Sequence, residues 1–247
     1  MKKIIVANWK MHPRTEKEAV ALARASDATS VVICPPFPFI PAVARVLKRA
    51  ALGAQNAFPG TTGAKTGEVS AGELKSAGVR YVILGHSERR AEGERDAQIA
   101  KKITGATAEG LIPILCVGEP ASVRAKGFTA AQAYVKKQLL ADLSGLAQSS
   151  KLKAQNLLIA YEPVWAISTT KNHKDETPED AARMAQFIKK LLVVSHKSKA
   201  TVLYGGSVNA KNATSFLARP EFSGALVGGA SLNPAEFKKV IKAGASL

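Results

Sequence analysis

Three side chains and two glycine pairs could carry out acid–base chemistry if the fold brought them to one place. Glu162 directly follows the apolar run Leu157-Leu158-Ile159-Ala160-Tyr161. A carboxylate at the end of such a run is costly unless it is solvated or paired. His86 stands in Gly85-His86-Ser87-Glu88-Arg89-Arg90, and Lys10 in Asn8-Trp9-Lys10. Tyr204-Gly205-Gly206-Ser207 and Val227-Gly228-Gly229-Ala230-Ser231 each place two glycines ahead of a helix-like stretch. Turns of this kind can present backbone N–H groups to an anion without a side chain blocking its approach. The set suits proton transfer on a small phosphorylated substrate. Each member alone also has a plainer use: Glu162 in a salt bridge, His86 as a cap or packing residue, a glycine pair as a tight turn. No serine or cysteine stands beside a base, and no His/Cys/Asp spacing suits a metal ion.

The elements that must position these groups alternate. Short apolar runs at 4–9, 30–35, 52–56, 80–85, 112–117, 157–162, 201–205 and 223–228 read as strands. Helical spacing follows near 15–26, 38–50, 71–77, 94–109, 129–147, 178–195, 209–218 and 234–243. Thr177-Pro178-Glu179-Asp180 and Asn233-Pro234-Ala235-Glu236 have the form of helix starts: a cap, a first-turn proline and acid against the dipole. Glycines 53, 78, 110 and 244 lie where helices are expected to stop. Runs this apolar are expected to be buried on both faces, as in a parallel sheet. Eight strand–helix pairs in 247 residues give about 31 residues per unit, which suits an α/β chain closed into a single-domain (β/α)8 barrel over 1–247. An open, doubly wound sheet is the other arrangement the pattern allows. In the barrel, polar residues at strand ends converge on one mouth, and a phosphate site after strands 7 and 8 recurs. The longest irregular stretch, Ala57 to Ser70, is too long for a mere connector.

Composition narrows the field. Hydrophobic residues make up 46% of the chain, enough for a large core. No apolar run is long enough to span a membrane, and Asn8 and Lys10 interrupt the N-terminal one, so no secretory signal is expected. Cys34 and Cys116 lie inside strand-like runs and read as reduced and buried, with the cytoplasm as the default compartment. Lysine and arginine total 35 against 19 acids, a net charge of +16. The lysines are scattered as pairs such as Lys101-Lys102 and Lys238-Lys239, with no aromatic-interleaved stripe, so they read as solvated surface and not as a nucleic-acid face.

Taken in order, these segments resemble the triosephosphate isomerase family along essentially the whole chain. Asn8-Trp9-Lys10-Met11, Gly85 to Arg90, Ala160 to Ile167, Tyr204 to Ser207 and Leu226 to Gly229 match its signatures. Gln55-Asn56 and Thr66 to Ser70 match its third loop. The resemblance implies interconversion of dihydroxyacetone phosphate and glyceraldehyde 3-phosphate through an enediolate, with no cofactor. It gives Glu162 the proton transfer and His86 the polarisation of the carbonyl as a neutral imidazole. Lys10 would supply fixed positive charge, oriented and balanced by Asn8 and Glu88. Backbone N–H groups of Ser168, Ser207, Gly228 and Gly229 would hold the phosphate. Residues 163–173 would form a mobile lid. Loop 57–70 would reach a second subunit, placing Thr66 near the partner's Asn8 and the partner's His86, which implies a homodimer.

The match has departures. The family's lid tip usually reads Gly-Thr-Gly-Lys-Thr-Ala, whereas this chain has Ser168-Thr169-Thr170-Lys171-Asn172-His173. A β-branched Thr170 would be strained at positive φ. Lys174-Asp175-Glu176 look like an insertion before the helix at Pro178, and Ala91 to Asp96 looks one residue short, with Glu94 expected to pair with Arg89 or Arg90. Two other readings compete. A phosphate-binding aldolase of the same fold would want a Schiff-base lysine within a strand, but the only strand lysine here, Lys10, is at an exposed end. A nucleic-acid-binding protein would have no use for the set Asn8, Lys10, His86 and Glu162.

Overall fold

The structure, a computed structural model, describes residues 3–60, 63–146, 157–167, 176–196 and 201–246. Eight parallel strands pair in chain order and the last closes on the first. They are β1 (Ile4–Asn8), β2 (Val31–Cys34), β3 (Ala51–Ala54), β4 (Tyr81–Leu84), β5 (Ile112–Val117), β6 (Leu158–Tyr161), β7 (Thr201–Tyr204) and β8 (Gly224–Val227). The closed barrel rules out the open sheet. Each expected strand is present because side chains on both faces are buried. Val6, Ile83, Ile114, Cys116, Leu203 and Leu226 belong to a cluster filling the barrel interior. Alternate residues such as Ile5, Ile33, Leu115 and Ile159 pack outward against the helices. Both cysteines are buried and unpaired.

The helices are α1 (Glu16–Ser26), α2 (Ile40–Ala44), α3 (Ala71–Ser76), α4 (Ser87–Ala91), α5 (Asp96–Ala108), α6 (Ala121–Arg124), α7 (Phe128–Asp142), α8 (Pro178–His196), α9 (Ala213–Leu217) and α10 (Pro234–Ala245). Thr15 and Ser70 cap α1 and α3 with reciprocal Glu18 and Glu73 bonds. The two expected starts hold: Thr177 Oγ1 accepts from Asp180 N at 3.2 Å, and Asn233 caps α10.

Several boundaries differ from expectation, for physical reasons. The helix expected over 38–50 is a 3-10 turn, Phe37–Phe39, followed by five residues of α2. Beyond it the Asp27 carboxylate accepts from the backbone N–H groups of Lys48, Arg49 and Ala50 at 3.0, 2.8 and 2.7 Å. Burial opposes the charge there, yet these three bonds hold the Asp27 carboxyl below its usual range. The helix expected over 209–218 shrinks to Ala213–Leu217 because Asn209 Oδ1 accepts from Lys211 N and Asn212 N while Asn212 Oδ1 accepts from Asn209 N, a turn of its own. Gly78 and Gly110 do end helices, both at positive φ. Gly53 does not: it lies within β3, where a Cβ would sit 2.4 Å from Cys34 Sγ. Gly244 lies within α10, tight against Lys3 and Ile5.

Candidate active site

Lys10 lies two residues beyond the end of β1, in left-handed backbone at φ 53°. Two neighbours hold this conformation. Asn8 Oδ1 accepts from Lys10 N at 3.1 Å, and Gln55 Nε2 donates to Lys10 O at 2.8 Å and to Cys34 O at 2.9 Å. The lysine ammonium pairs with Glu88 Oε1 at 2.5 Å. Glu88 enters from the first turn of α4, the short helix that follows β4.

His86 is the N-cap of α4. Its Nδ1 accepts the Glu88 backbone N–H at 3.2 Å, so that nitrogen carries no proton and the ring's N–H is at Nε2. Nε2 lies 3.3 Å from Glu162 Oε1. The other carboxylate oxygen of Glu162 accepts from Ser87 N at 3.2 Å. Glu162 is only 2% exposed, and its backbone N–H donates to Val117 O at 2.8 Å. Two glycines make room for it. A Cβ on Gly118 would lie 1.8 Å from Glu162 O, and one on Gly205 would lie 2.7 Å from Glu162 Cγ.

The glycine turns close the other side. Asn8, Lys10, His86, Glu162, Gly205, Gly206, Ser207, Gly228 and Gly229 all line one cleft of about 230 Å³. Ile167, Val208, Asn209, Leu226, Ala230 and Glu236 complete its wall; of these, Val208, Asn209 and Glu236 are not signalled as site residues by the sequence. A Cβ on Gly228 would stand 3.5 Å from Lys10 Cε, whereas one on Gly229 would meet nothing within 4 Å. The Ser207 N–H donates to Ala166 O at 3.1 Å, so it is already engaged. Asn212 Nδ2 steadies this turn by donating to Ser207 O at 2.8 Å. Ser168, Thr170 and the lid and insertion residues 168–175 lie outside the described residues. Thr66 does not line the cleft; it stands exposed on the third loop.

Beside the mouth is a buried ionic cluster that the sequence reading did not identify. Glu119, the strand-5 end residue, accepts from Trp165 Nε1 at 2.9 Å and from Tyr161 Oη at 3.2 Å. Arg124 lies between Glu119, Glu176 and Asp180 at 3.8, 3.6 and 2.8 Å. Burial raises the Glu176 carboxyl to about 8; Arg124 pulls it back while Glu119 and Asp180 push it higher. Glu94, expected to pair with Arg89 or Arg90, pairs with Arg89 at 3.5 Å and with buried Lys102. Among the described residues no group of three His, Cys, Asp or Glu side chains could hold a metal ion, and no helix is long and apolar enough to cross a membrane.

A closed β/α barrel with carboxylate, imidazole and ammonium gathered at the strand ends, opposite glycine turns after its last two strands, has the arrangement that acid–base chemistry on a small anion requires. Comparison with known proteins makes this specific. The family model for triosephosphate isomerase matches residues 3–244. The chain is 44% identical to the triosephosphate isomerase of Carboxydothermus hydrogenoformans, over 98% of each chain. It is 43% identical to that of Dictyoglomus thermophilum and 42% identical to that of Thermus thermophilus, in each case over 98% of this chain and 99% of the relative. The chain belongs to the triosephosphate isomerase family.

Proposed function

We propose that residues 1–247 form one catalytic domain that interconverts dihydroxyacetone phosphate and glyceraldehyde 3-phosphate through an enediolate, with Glu162 moving the proton between the two carbons. The observation that carries the assignment is the 3.3 Å approach of Glu162 Oε1 to His86 Nε2 at the wall of a cleft that also holds Lys10 and both glycine turns. Base and electrophile stand side by side on one wall of the cleft, so the substrate's two reacting carbons would lie against both of them. His86 donates from Nε2 to the substrate oxygen because its Nδ1 is occupied by the Glu88 N–H; triosephosphate isomerase is itself the standard example of a neutral imidazole in this role. Lys10, held by Glu88 and Asn8, supplies fixed charge for the developing oxyanion. Gly228 and Gly229 lie open for a phosphate, and Ser207 joins them once its bond to Ala166 is released. Ser168 is the fourth proposed phosphate donor. The carbonyl beside the reacting carbon delocalises the carbanion, so the chemistry calls for no cofactor.

The same reading includes a homodimer and a cytoplasmic setting. Gly63 to Glu68 are exposed in one chain, Met11 is 89% exposed, and a groove of about 510 Å³ lies beside His12, Pro13 and Arg14. These surfaces suit loop 57–70 of a second copy. Sedimentation is expected to give a two-chain mass; a monomer that is fully active at assay concentration would remove the dimer from the proposal.

The activity is tested by the rate of glyceraldehyde 3-phosphate isomerisation beside a Glu162→Asp variant. Shortening the side chain withdraws the carboxylate by about 1 Å, enough to slow turnover by about 10²-fold. A wild type no faster than buffer overturns the activity, and an equally fast variant overturns the assignment of the base.

A further inference from the structure

The last turns of α7 reach the catalytic rim from behind through two buried polar residues, Gln138 and Asp142. They are four apart and so share a helix face. Gln138 Oε1 accepts from Gly118 N at 2.9 Å, where the chain leaves β5. Asp142 Oδ2 accepts from Arg90 Nη2 at 2.5 Å, and its side chain is fully buried. The other carboxylate oxygen, Oδ1, is buried with no hydrogen-bond partner. Burial pushes the Asp142 carboxyl up to about 7, Arg90 pulls it back and neighbouring Asp96 pushes it higher, a cost that an apolar residue of similar volume in a core chosen for stability alone would not carry.

Arg90 is where the charge is used. Its Nε donates to Gly85 O at 2.7 Å, and its Nη2 also donates to Cys116 O at 3.2 Å. Gly85 O belongs to the peptide that leads into His86. Cys116 is the residue before Val117, whose carbonyl accepts the Glu162 backbone N–H. One guanidinium therefore fixes the main chain feeding the imidazole and the strand end supporting the carboxylate. Gly85 makes room for it: a Cβ there would lie 2.8 Å from Arg90 Nη2. Asp96 binds Arg90 Nη1 at 2.7 Å but is 41% exposed at the side chain, so its hold is shared with water.

We infer that Asp142 is a positioning residue for the isomerisation: through Arg90 it fixes the mutual placement of His86 and Glu162, and it leaves the phosphate turns alone. The inference rests on the proposed roles of those two residues. A His86→Gln variant tests that foundation separately, since loss of the imidazole must slow turnover if the roles are right.

With that control in hand, Asp142→Asn is measured for kcat, KM and competitive inhibition by inorganic phosphate, with melting curves to show that it folds. Turnover is expected to fall about tenfold, with KM and phosphate inhibition within about twofold of wild type. Asp142→Glu is expected to recover much of kcat. Unchanged kcat in a folded Asp142→Asn would overturn the inference. So would a parallel loss of turnover and phosphate binding, which would mean general loosening. If Asp142→Asn does not fold, Arg90→Lys keeps the charge opposite Asp142 but cannot reach four acceptors, and the same selective loss of kcat is expected. Failure of both variants to fold would make the pair purely structural and overturn the proposal.

Discussion

The two halves of the cleft are built differently. On the β1, β4 and β6 side the proposed working groups are side chains, each already committed to a neighbour: Lys10 to Glu88, His86 to the Glu88 N–H, Glu162 to Ser87. On the β7 and β8 side the proposed working groups are backbone N–H groups: those of Gly228 and Gly229, which carry no side chain to block an anion, and that of Ser207, which Ala166 O holds until an anion replaces it. The side-chain half carries charge, so it needs partners to hold that charge in place without neutralising its function. The backbone half carries only dipoles, so it needs space. Charge is organised by contacts, and the anion recognition proposed for Gly228 and Gly229 by their absence.

The contrast breaks most sharply at Gly205, which belongs to both halves. A Cβ at this position would push on Glu162 Cγ, so Gly205→Ala is expected to lower kcat by about 10²-fold although no charged group is removed. A kcat near wild type would mean that Glu162 is not held as tightly as its surroundings imply. Gly228→Val probes the other half. It is expected to raise KM and weaken phosphate inhibition by about tenfold each, with kcat within about threefold. Should kcat fall more than binding, the turn acts on Lys10 more than on the phosphate.

An effect on stability and not on turnover is expected just outside the cleft, where carboxyl groups have contacts but no working space. Glu176 is held uncharged by burial, with a folded pKa of about 8 against an ordinary 4.5. A carboxyl raised in this way stabilises the fold below its ordinary value, and that contribution is lost as pH rises through about 8. Melting temperature is therefore expected to drop between about pH 5 and 8.5, in part through this group. Glu176→Gln is expected to flatten the drop by an amount on the order of 2 kcal/mol. If wild type and variant have parallel profiles, the carboxyl titrates elsewhere.

Sequence reading served the two halves unequally. The strands were legible because burial on both faces leaves an unbroken apolar run, and barrel closure then sent every strand end to one mouth. That was enough to gather Glu162, His86, Lys10 and the glycine pairs. The family resemblance supplied Asn8 and Glu88 as partners of Lys10, but the other supporting contacts were not legible, because they join residues far apart in the chain. Gln55 holds Lys10 O across 45 positions, and Arg90 meets Asp142 across 52. Helix limits failed for a related reason. Asp27 grips the backbone beyond α2 from 21 to 23 positions away, and no local pattern near Lys48 announces it. The helix stops assigned to Gly53 and Gly244 confused two uses of glycine, conformational freedom and close approach, which look the same in a sequence.

The backbone at Lys10 also bears on attempts to make this protein hardier. A non-glycine residue at φ 53° holds a conformation that glycine adopts freely. A screen for heat resistance alone would therefore be drawn to Lys10→Gly, and would be rewarded for discarding the ammonium. With the role proposed for Lys10, the position sets durability against turnover, so selection on this scaffold has to score both together.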